Sequence, residues 1–179
     1  SVGCASAATE RWLAEQGIAV TVIPLDPVIC GSGSNDLVEV VEGDLQSAKA
    51  RLCGRRFDCV LMLNVLHLAN DPVEVLSSFC DLLLPGAPAI IQSPNMSNLP
   101  TMWKQLRYRH NETPRSYDAD GAHYAFKRSI SNWCGKANLT IDRVIGVLHR
   151  RIEAYERVIP SIAKPAFASD IIAVARRPM

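Results

Sequence analysis

Two histidines stand where an imidazole could take up a proton during catalysis. His67 lies in "NVLHLAND", directly after an apolar run. His123 lies in "DADGAHYAF", with Asp120 either one helical turn earlier or across a loop. Imidazole changes its charge near neutral pH, so either side chain can act as a general base. A packing role at a strand end (His67) or in fixing a loop (His123) explains the same residues. The candidate catalytic residues are therefore His123 and Asp120, with His67 close to the substrate.

A run of small residues, Gly3 to Ala8, comes just before the first helical stretch of the chain. Small residues at a strand-to-helix junction allow backbone N–H groups to approach a ligand closely. A plain N-terminal segment without a role would look the same. The run alone does not decide between the two interpretations.

Composition describes one ordinary globular domain over residues 1–179. The chain is 48% hydrophobic and 21% charged, with a net charge of +1. This balance lacks the cationic excess of a nucleic-acid binder, so we expect no nucleic-acid partner. No apolar run reaches the roughly 18 residues of a membrane span, and we expect no signal peptide. The six cysteines form no C-x-x-C pair, which argues against a zinc site or disulfide framework and favours reduced thiols in a cytoplasmic protein.

Helical and strand patterns alternate along the chain. The strand candidates are "IAVTVI", "LVEVVEGD", "FDCVLMLN", "APAIIQSPN", "LTIDRVIGV" and "SDIIAVARRP". The helix candidates are "TERWLAEQG" ending at Gly17, "DPVEVLSSFCDLLLPG" with Asp71 as N-cap, "LPTMWKQLRYR", "RSISNWCGKAN" closed by Asn138, and "RRIEAYERVI". Strands that alternate with helices predict an α/β fold with a mostly parallel sheet covered by helices on both faces.

Sheets of this kind bind ligands beyond the carboxyl ends of their strands. Polar and small residues cluster at those ends, whereas the strands before them are apolar. We therefore expect a site at one edge of the sheet. The stretches that meet there are Gly3 to Ala8, Pro24 to Pro27, Gly43–Asp44, Asn64 to Leu68 and Ser93 to Asn98.

Four segments carry a family resemblance. "VGCASAATERWLAEQG" resembles the glycine-rich motif of class I S-adenosylmethionine-dependent methyltransferases, and "VVEGDL" is similar to their segment with an acidic residue near the adenine. "RRFDCVLMLNVLHLANDPVEVLSSFCDLLLPGAPAIIQSPN" resembles the central motif of that family, and it is the most specific match. "DADGAHYAFKRSISNWCGKANLTIDRV" is similar to a stretch of the family's small-molecule branch.

The resemblance implies a Rossmann-like three-layer sandwich with a seven-stranded sheet whose last strand is antiparallel. It also implies S-adenosylmethionine as cofactor, lying across the first, second and fourth strands. Because only Ser1 and Val2 precede Gly3, we expect an upstream segment that completes the first strand, within a longer parent chain. The cofactor-binding residues that the resemblance implies are Gly3, Cys4, Ala5, Ser6, Asp26, Asp44, Leu45, Asn64 and Val65.

Three positions depart from the family pattern. Ala5 and Ala7 replace glycines, which is tolerable only where the backbone keeps a negative φ. Pro24 stands where the family has the acidic residue that binds the ribose, and proline offers neither a carboxylate nor an N–H. Asp26 is a candidate substitute, although it is equally suited to capping the turn before Pro27. Asp44 stands at its expected place, where it could equally cap the following helix.

The small-molecule branch implies methyl transfer to a sugar, a quinone precursor or a secondary metabolite. It also implies fusion or association with a glycan-biosynthesis domain. Since the cofactor carries the activated carbon, the protein mainly has to align the acceptor and exclude water. The residues expected to line the acceptor pocket are His67, Asn95, Trp103, Arg107, Tyr108 and Tyr117.

Two other functions fit parts of the sequence. A degenerate methyltransferase-like domain that has lost its cofactor and serves as a binding or scaffolding module would explain Pro24, Ala5 and Ala7. A nicotinamide dehydrogenase fits less well, because the loop lacks G-x-G-x-x-G and the chain has no Tyr-x-x-x-Lys pair.

Overall fold

The computed structural model describes residues 1–4, 6–25, 37–96, 98–99, 102–103, 117, 121–123, 125, 127–148 and 164–178. The described strands are β1 (Val2–Cys4), β2 (Val20–Pro24), β3 (Val38–Val40), β4 (Val60–Leu63), β5 (Pro88–Pro94), β6 (Thr140–Leu148) and β7 (Ala168–Arg176). The helices are α1 (Ala8–Glu15), α2 (Leu45–Arg51), α3 (Pro72–Cys80), α4 (Lys127–Lys136) and α5 (Lys164–Phe167), with a 3₁₀ turn at Leu66–Leu68.

The seven strands form one sheet in the order β3-β2-β1-β4-β5-β7-β6. The pairs from β3 through β5 are parallel, and β7 runs antiparallel to both of its neighbours. This arrangement confirms the predicted fold, including the reversed last strand. Its consequence for the site is that the start of β7 lies beside the end of β5, since Pro94 pairs with Asp170.

Apolar residues form a core on each face of the sheet. Val22 belongs to a cluster with Ala14 of α1, whereas the next residue, Ile23, belongs to a cluster with Phe79 of α3 and Cys134 of α4. Because neighbouring residues of a strand point to opposite faces, these clusters lie on opposite sides of the sheet. The three-layer arrangement follows from this alternation.

Helix ends follow the local signals in the sequence. Asp71 accepts hydrogen bonds from the backbone N–H groups of Val73 (2.9 Å) and Glu74 (3.0 Å), and Pro72 occupies the first helical position of α3. Helix α1 ends at Glu15, and Gly17 follows with a φ of 82°. Asn138 closes α4 with a φ of 56°. The predicted caps are therefore confirmed.

Strand β6 lies at the edge of the sheet and pairs only with β7 among the described strands. Its ladder shifts register between Ile141 and Arg143 and again between Val147 and Leu148. Ile145 and Val147 keep 38% and 37% of their surface exposed. Across the part of the chain that the structure describes, no helix is both long and apolar enough to cross a bilayer.

The helix predicted in "LPTMWKQLRYR" is described only at Leu99, Met102 and Trp103, all of which are helical. The helix predicted in "RRIEAYERVI" lies outside the described residues.

Candidate active site

The parallel strands bring the predicted stretches to one edge of the sheet. β1 pairs with both β2 and β4, so the turn after Cys4, the buried Pro24 and the exposed Asn64 follow neighbouring strand ends. Asn64 has a φ of 57°, and its backbone N–H donates to the carbonyl oxygen of Gln92 at 3.0 Å. Asp44 follows β3, the strand next to β2. The topology thus sets the four turns in a row along the carboxyl edge.

Gly3 is required by the packing of the chain itself. It has a φ of 74°, and a Cβ built there would lie 2.3 Å from Cγ2 of Val65 and 3.4 Å from Cγ of Leu25. A distance of 2.3 Å is a hard clash, so only glycine allows Val65 to pack against β1. Because Val65 is itself 1% exposed, its predicted contact with a cofactor would have to come from the backbone.

Ala7 holds a backbone conformation that favours glycine. Its φ and ψ are 51° and 28°, it precedes α1, and its side chain makes no capping hydrogen bond. A left-handed conformation costs an L-residue about 1–2 kcal/mol. Ala7 therefore does not meet the condition of a negative φ under which replacement of the glycine is tolerable, and the turn keeps a glycine-like backbone conformation in spite of the methyl group.

The rest of that turn is split between core and surface. Cys4 is buried and Ser6 is exposed, while Ala5 lies outside the described residues. The exposed Ser6 is accessible for contact with a ligand.

Asp44 caps helix α2. Its carboxylate accepts hydrogen bonds from the backbone N–H of Ser47 at 2.7 Å and from the Ser47 hydroxyl at 2.6 Å. These hydrogen bonds hold the pKa of the Asp44 carboxyl below its usual range. The side chain is exposed and ionised at neutral pH, so capping and ligand contact are compatible. Leu45, by contrast, packs against the core.

The end of β2 supplies no carboxylate among the described residues. Pro24 is buried and pairs with Cys4, and the N–H of Leu25 donates to the carbonyl oxygen of Cys4 at 3.2 Å. Asp26 lies outside the described residues.

His123 fixes the 3₁₀ turn that follows β4. Its backbone N–H donates to the carbonyl oxygen of His67 at 2.6 Å, and its Nε2 lies 3.3 Å from the carbonyl oxygen of Asn70. Since a carbonyl only accepts, Nε2 carries the hydrogen in this contact. The ring stacks on Tyr117 with centroids 4.5 Å apart and meets the edge of Trp133 at 5.9 Å.

Tyr117 reinforces the same turn, because its hydroxyl donates to the carbonyl oxygen of Leu68 at 3.3 Å. Two of the predicted residues, Tyr117 and His123, thus meet around the segment that carries a third, His67. Asp120, Arg107 and Tyr108 lie outside the described residues.

The imidazole of His67 has an unpaired nitrogen. Its Nδ1 is buried and has no hydrogen-bond partner among the described residues. Burial lowers the pKa of His67, while the negative charge of Asp170 acts in the opposite direction and the neighbouring His123 lowers it further. The hydroxyl oxygen of Ser93, near the end of β5, is a second buried polar atom without a hydrogen-bond partner among the described residues.

Asn95 joins β5 to β7. It is 1% exposed, and its side-chain amide donates to the carbonyl oxygen of Ala168 at 2.9 Å. Its backbone N–H donates to the carbonyl oxygen of Ser169 at 2.8 Å. Trp103 is 69% exposed. The structure therefore gives Asn95 a role in the fold and places Trp103 on the surface.

Asp170 is a polar residue at this edge of the sheet that the sequence interpretation missed. It lies at the start of β7 and accepts hydrogen bonds from the Ser169 hydroxyl (2.7 Å) and from the Gln92 side-chain amide (3.4 Å). The signal was present: an antiparallel last strand must begin at the carboxyl edge, and "SD" precedes its apolar run. Polar residues at the start of that strand therefore belong with the polar residues that end the others.

One family model, described as "Methyltransferase domain", matches residues 1–144. No curated protein matches the sequence. Solved structures similar to the chain include a SAM-dependent methyltransferase from Archaeoglobus fulgidus, with 13% identity, a TM-score of 0.68, and 98% of this chain and 84% of that chain covered.

Two further structures show how widely the fold is used. The N-methyltransferase NodS from Bradyrhizobium japonicum WM9, solved with S-adenosyl-l-homocysteine, is 16% identical with a TM-score of 0.62 and covers 99% of this chain and 76% of its own. The [4+2]-cyclase SpnF is 18% identical with a TM-score of 0.68 and covers 99% of this chain and 74% of its own. At such identities the likeness shows the fold alone.

Proposed function

The chain belongs to the methyltransferase domain family, and we propose that it transfers a methyl group from S-adenosylmethionine to a small-molecule acceptor. The conformation of Ala7 carries the proposal. An alanine held at a φ of 51° stores strain that a glycine would relieve, and backbone strain of this kind is concentrated at functional turns.

The described residues suit the cofactor at three of the four strand ends. The turn from Gly3 to Ala7 presents backbone next to α1, Asp44 offers an ionised carboxylate, and Asn64 is exposed after β4. At the fourth end, Pro24 brings no acceptor for a ribose diol. We assign cofactor contact to the backbone of Gly3, Cys4, Ser6, Leu45 and Val65, and to the side chains of Asp44 and Asn64.

S-adenosylmethionine supplies a methyl group on a sulfonium, from which direct displacement is favourable. What remains for the chain is to align an acceptor atom and to keep water away. The region around His67, Tyr117 and His123 lies next to the ends of β4 and β5, where an acceptor would meet the methyl group. Its two stacked rings suit a small organic molecule.

Ligand binding tests the proposal directly. S-adenosylhomocysteine at a hundredfold excess over its Kd should stabilise the folded chain by about 2.7 kcal/mol. Calorimetric titration and thermal unfolding measure the affinity and the stabilisation. A folded protein that shows neither at millimolar S-adenosylhomocysteine would contradict the proposal and would favour a methyltransferase-like binding module instead.

A matched pair of variants separates cofactor contact from helix capping. Asparagine caps helices about as well as aspartate, so Asp44→Asn and Asp71→Asn both keep a cap while removing a charge. We expect Asp44→Asn to weaken S-adenosylhomocysteine binding about tenfold, as for a lost hydrogen bond to a charged group. Asp71→Asn, at α3, should leave the affinity unchanged. If Asp44→Asn binds S-adenosylhomocysteine as tightly as Asp71→Asn does, Asp44 is not part of the cofactor site.

A further inference from the structure

Four large apolar side chains are exposed at the carboxyl edge of the sheet. Leu68 lies in the 3₁₀ turn after β4 and is 44% exposed. Leu99, Met102 and Trp103 follow β5 and are 48%, 45% and 69% exposed. Because β4 and β5 are paired and parallel, the two segments leave the same edge of the sheet from neighbouring strands. We call these four residues the apolar rim.

The three rim residues after β5 share one face of a helix. Leu99, Met102 and Trp103 are all helical, and their spacing of three and four positions puts their side chains on the same side. The Met102 N–H donates to the carbonyl oxygen of Asn98 at 2.9 Å, and the Asn98 side-chain amide donates to the carbonyl oxygen of Asn95. Since both asparagines are buried, the start of the helix is fixed to the sheet while its apolar face remains exposed.

The sequence around this face is cationic. No aspartate or glutamate occurs between Asp81 and Glu112, whereas Lys104, Arg107 and Arg109 follow Trp103. These three basic residues lie outside the described residues, and their charge is a property of the sequence. Because the whole chain has a net charge of only +1, the positive excess is local to this segment.

This combination of residue types matches the surface of an anionic bilayer. Tryptophan favours the boundary between headgroups and hydrocarbon, where leucine and methionine also gain by burial. Lysine and arginine close to that boundary are attracted to anionic lipids. A second copy of the chain would instead bring like charges together across a symmetric interface, which opposes pairing through this face.

We propose that the apolar rim binds to the surface of a membrane that contains anionic phospholipid. Leu99, Met102 and Trp103 enter the headgroup region, and the positive charge of the following sequence favours anionic over zwitterionic lipid. Because the rim lies at the same edge as the candidate active site, binding places that site at the membrane surface. The inference does not rest on the proposed function, since vesicle binding requires neither cofactor nor acceptor.

Vesicle sedimentation tests the lipid preference. We expect the chain to bind phosphatidylcholine vesicles that contain phosphatidylglycerol at least about tenfold more tightly than vesicles of phosphatidylcholine alone, because each basic residue near an anionic surface strengthens binding about fivefold. Raising the salt concentration from about 0.1 M to about 1 M should weaken this binding, since the screening length falls from about 10 Å to about 3 Å.

Two exposed tryptophans provide a matched pair of variants. Trp103→Ser should weaken binding to the anionic vesicles about tenfold, because a large apolar side chain is no longer buried in the lipid. Trp12→Ser removes a side chain of α1 that is 57% exposed, and it should bind as the wild type does. Tryptophan emission should shift to shorter wavelength when Trp12→Ser binds the vesicles, and Trp103→Ser should lose that shift. Circular dichroism checks that both variants are folded.

Equal binding to the two kinds of vesicle, or no binding to either, would overturn the inference. Equal losses in folded Trp103→Ser and Trp12→Ser would also overturn it, because the rim would then have no special part in the contact. A dimer that Trp103→Ser dissociates, seen by analytical ultracentrifugation of a chain that does not bind vesicles, would assign the rim to a second copy instead.

Discussion

At the scale of single residues, the turn after β1 contains two residues with a positive φ, Gly3 and Ala7, and only one of them is a glycine. Gly3 has no Cβ, and the space where one would lie is taken by Val65. Ala7 keeps its methyl group, buries it to 3% exposure, and accepts the strain. The first position is therefore determined by internal packing and the second by the shape of the turn.

We expect Gly3→Ala to destabilise the protein by about 3 kcal/mol. The left-handed backbone contributes about 1–2 kcal/mol, and overpacking against Val65 contributes about 1–3 kcal/mol. Urea denaturation measures the loss. Val65→Ala makes room for the new methyl group. The double variant should therefore lose about 1 kcal/mol less free energy of unfolding than the sum of the losses of the two single variants. Strictly additive losses would show that Gly3 and Val65 do not interact.

At this scale the sequence predicted the turn of small residues, but not that the side chain of Val65 packs against Gly3. Nothing near Gly3 in the chain points to Val65, since the contact depends on β4 pairing with β1. The capping role of Asp44 could likewise be predicted from its neighbours, whereas placing Asp170 at the carboxyl edge required the antiparallel course of the last strand, which only the family resemblance implied.

At the scale of elements, the ends of helices are set by a few local contacts. After α1, the Gly17 N–H donates to the carbonyl oxygen of Ala14 at 2.9 Å, and the Ile18 N–H donates to that of Leu13 at 3.1 Å. These bonds satisfy carbonyl groups that the helix leaves free, and they require the positive φ of Gly17.

Two glycines separate the effect of φ from the effect of space. A Cβ at Gly17 or at Gly135 would meet nothing within 4 Å, but only Gly17 has a positive φ. We expect Gly17→Ala to cost about 1 kcal/mol, and Gly135→Ala, within α4, to gain about 0.5 kcal/mol. Chemical denaturation of both variants provides the comparison. A loss of stability in Gly135→Ala similar to that in Gly17→Ala would mean that φ is not the cause.

Elements were predictable where the signal lies within a few residues. Asp71 with Pro72, Gly17 and Asn138 mark helix ends through their own backbone preferences. The predicted burial of β4 on both faces was less accurate, because Leu61 and Leu63 are only half-buried. Coverage of a strand depends on distant segments, which periodicity does not reveal.

At the scale of the whole molecule, the helical layer of α3 and α4 protects two thiols. Cys80 and Cys134 are 3% and 0% exposed. Burial raises the pKa of the Cys80 thiol to about 12 and that of Cys134 to about 11, so neither forms a thiolate in the folded protein near neutral pH. Cys53, in the turn after α2, is exposed.

We expect thiol labelling at pH 8 to report opening of this layer. Because Cys53 is exposed, it should react with a disulfide reagent much faster than the two buried thiols, and Cys53→Ser should remove its contribution to the fast phase. Cys80 and Cys134 should react at least about a thousandfold more slowly, because they react only after unfolding. Mass spectrometry of digested samples resolves the sites. Fast labelling of Cys80 or Cys134 would show that the layer opens independently of the rest.

The two register shifts in β6 have a consequence for self-association. A long edge strand with exposed Ile145 and Val147 offers a template on which a second strand can add. Bulges bend and twist a strand, and here they limit the regular ladder to the run between Arg143 and Val147. The irregular backbone of β6 thus works against the intermolecular strand pairing that leads to fibrils, while the hydrogen bonds between β6 and β7 remain.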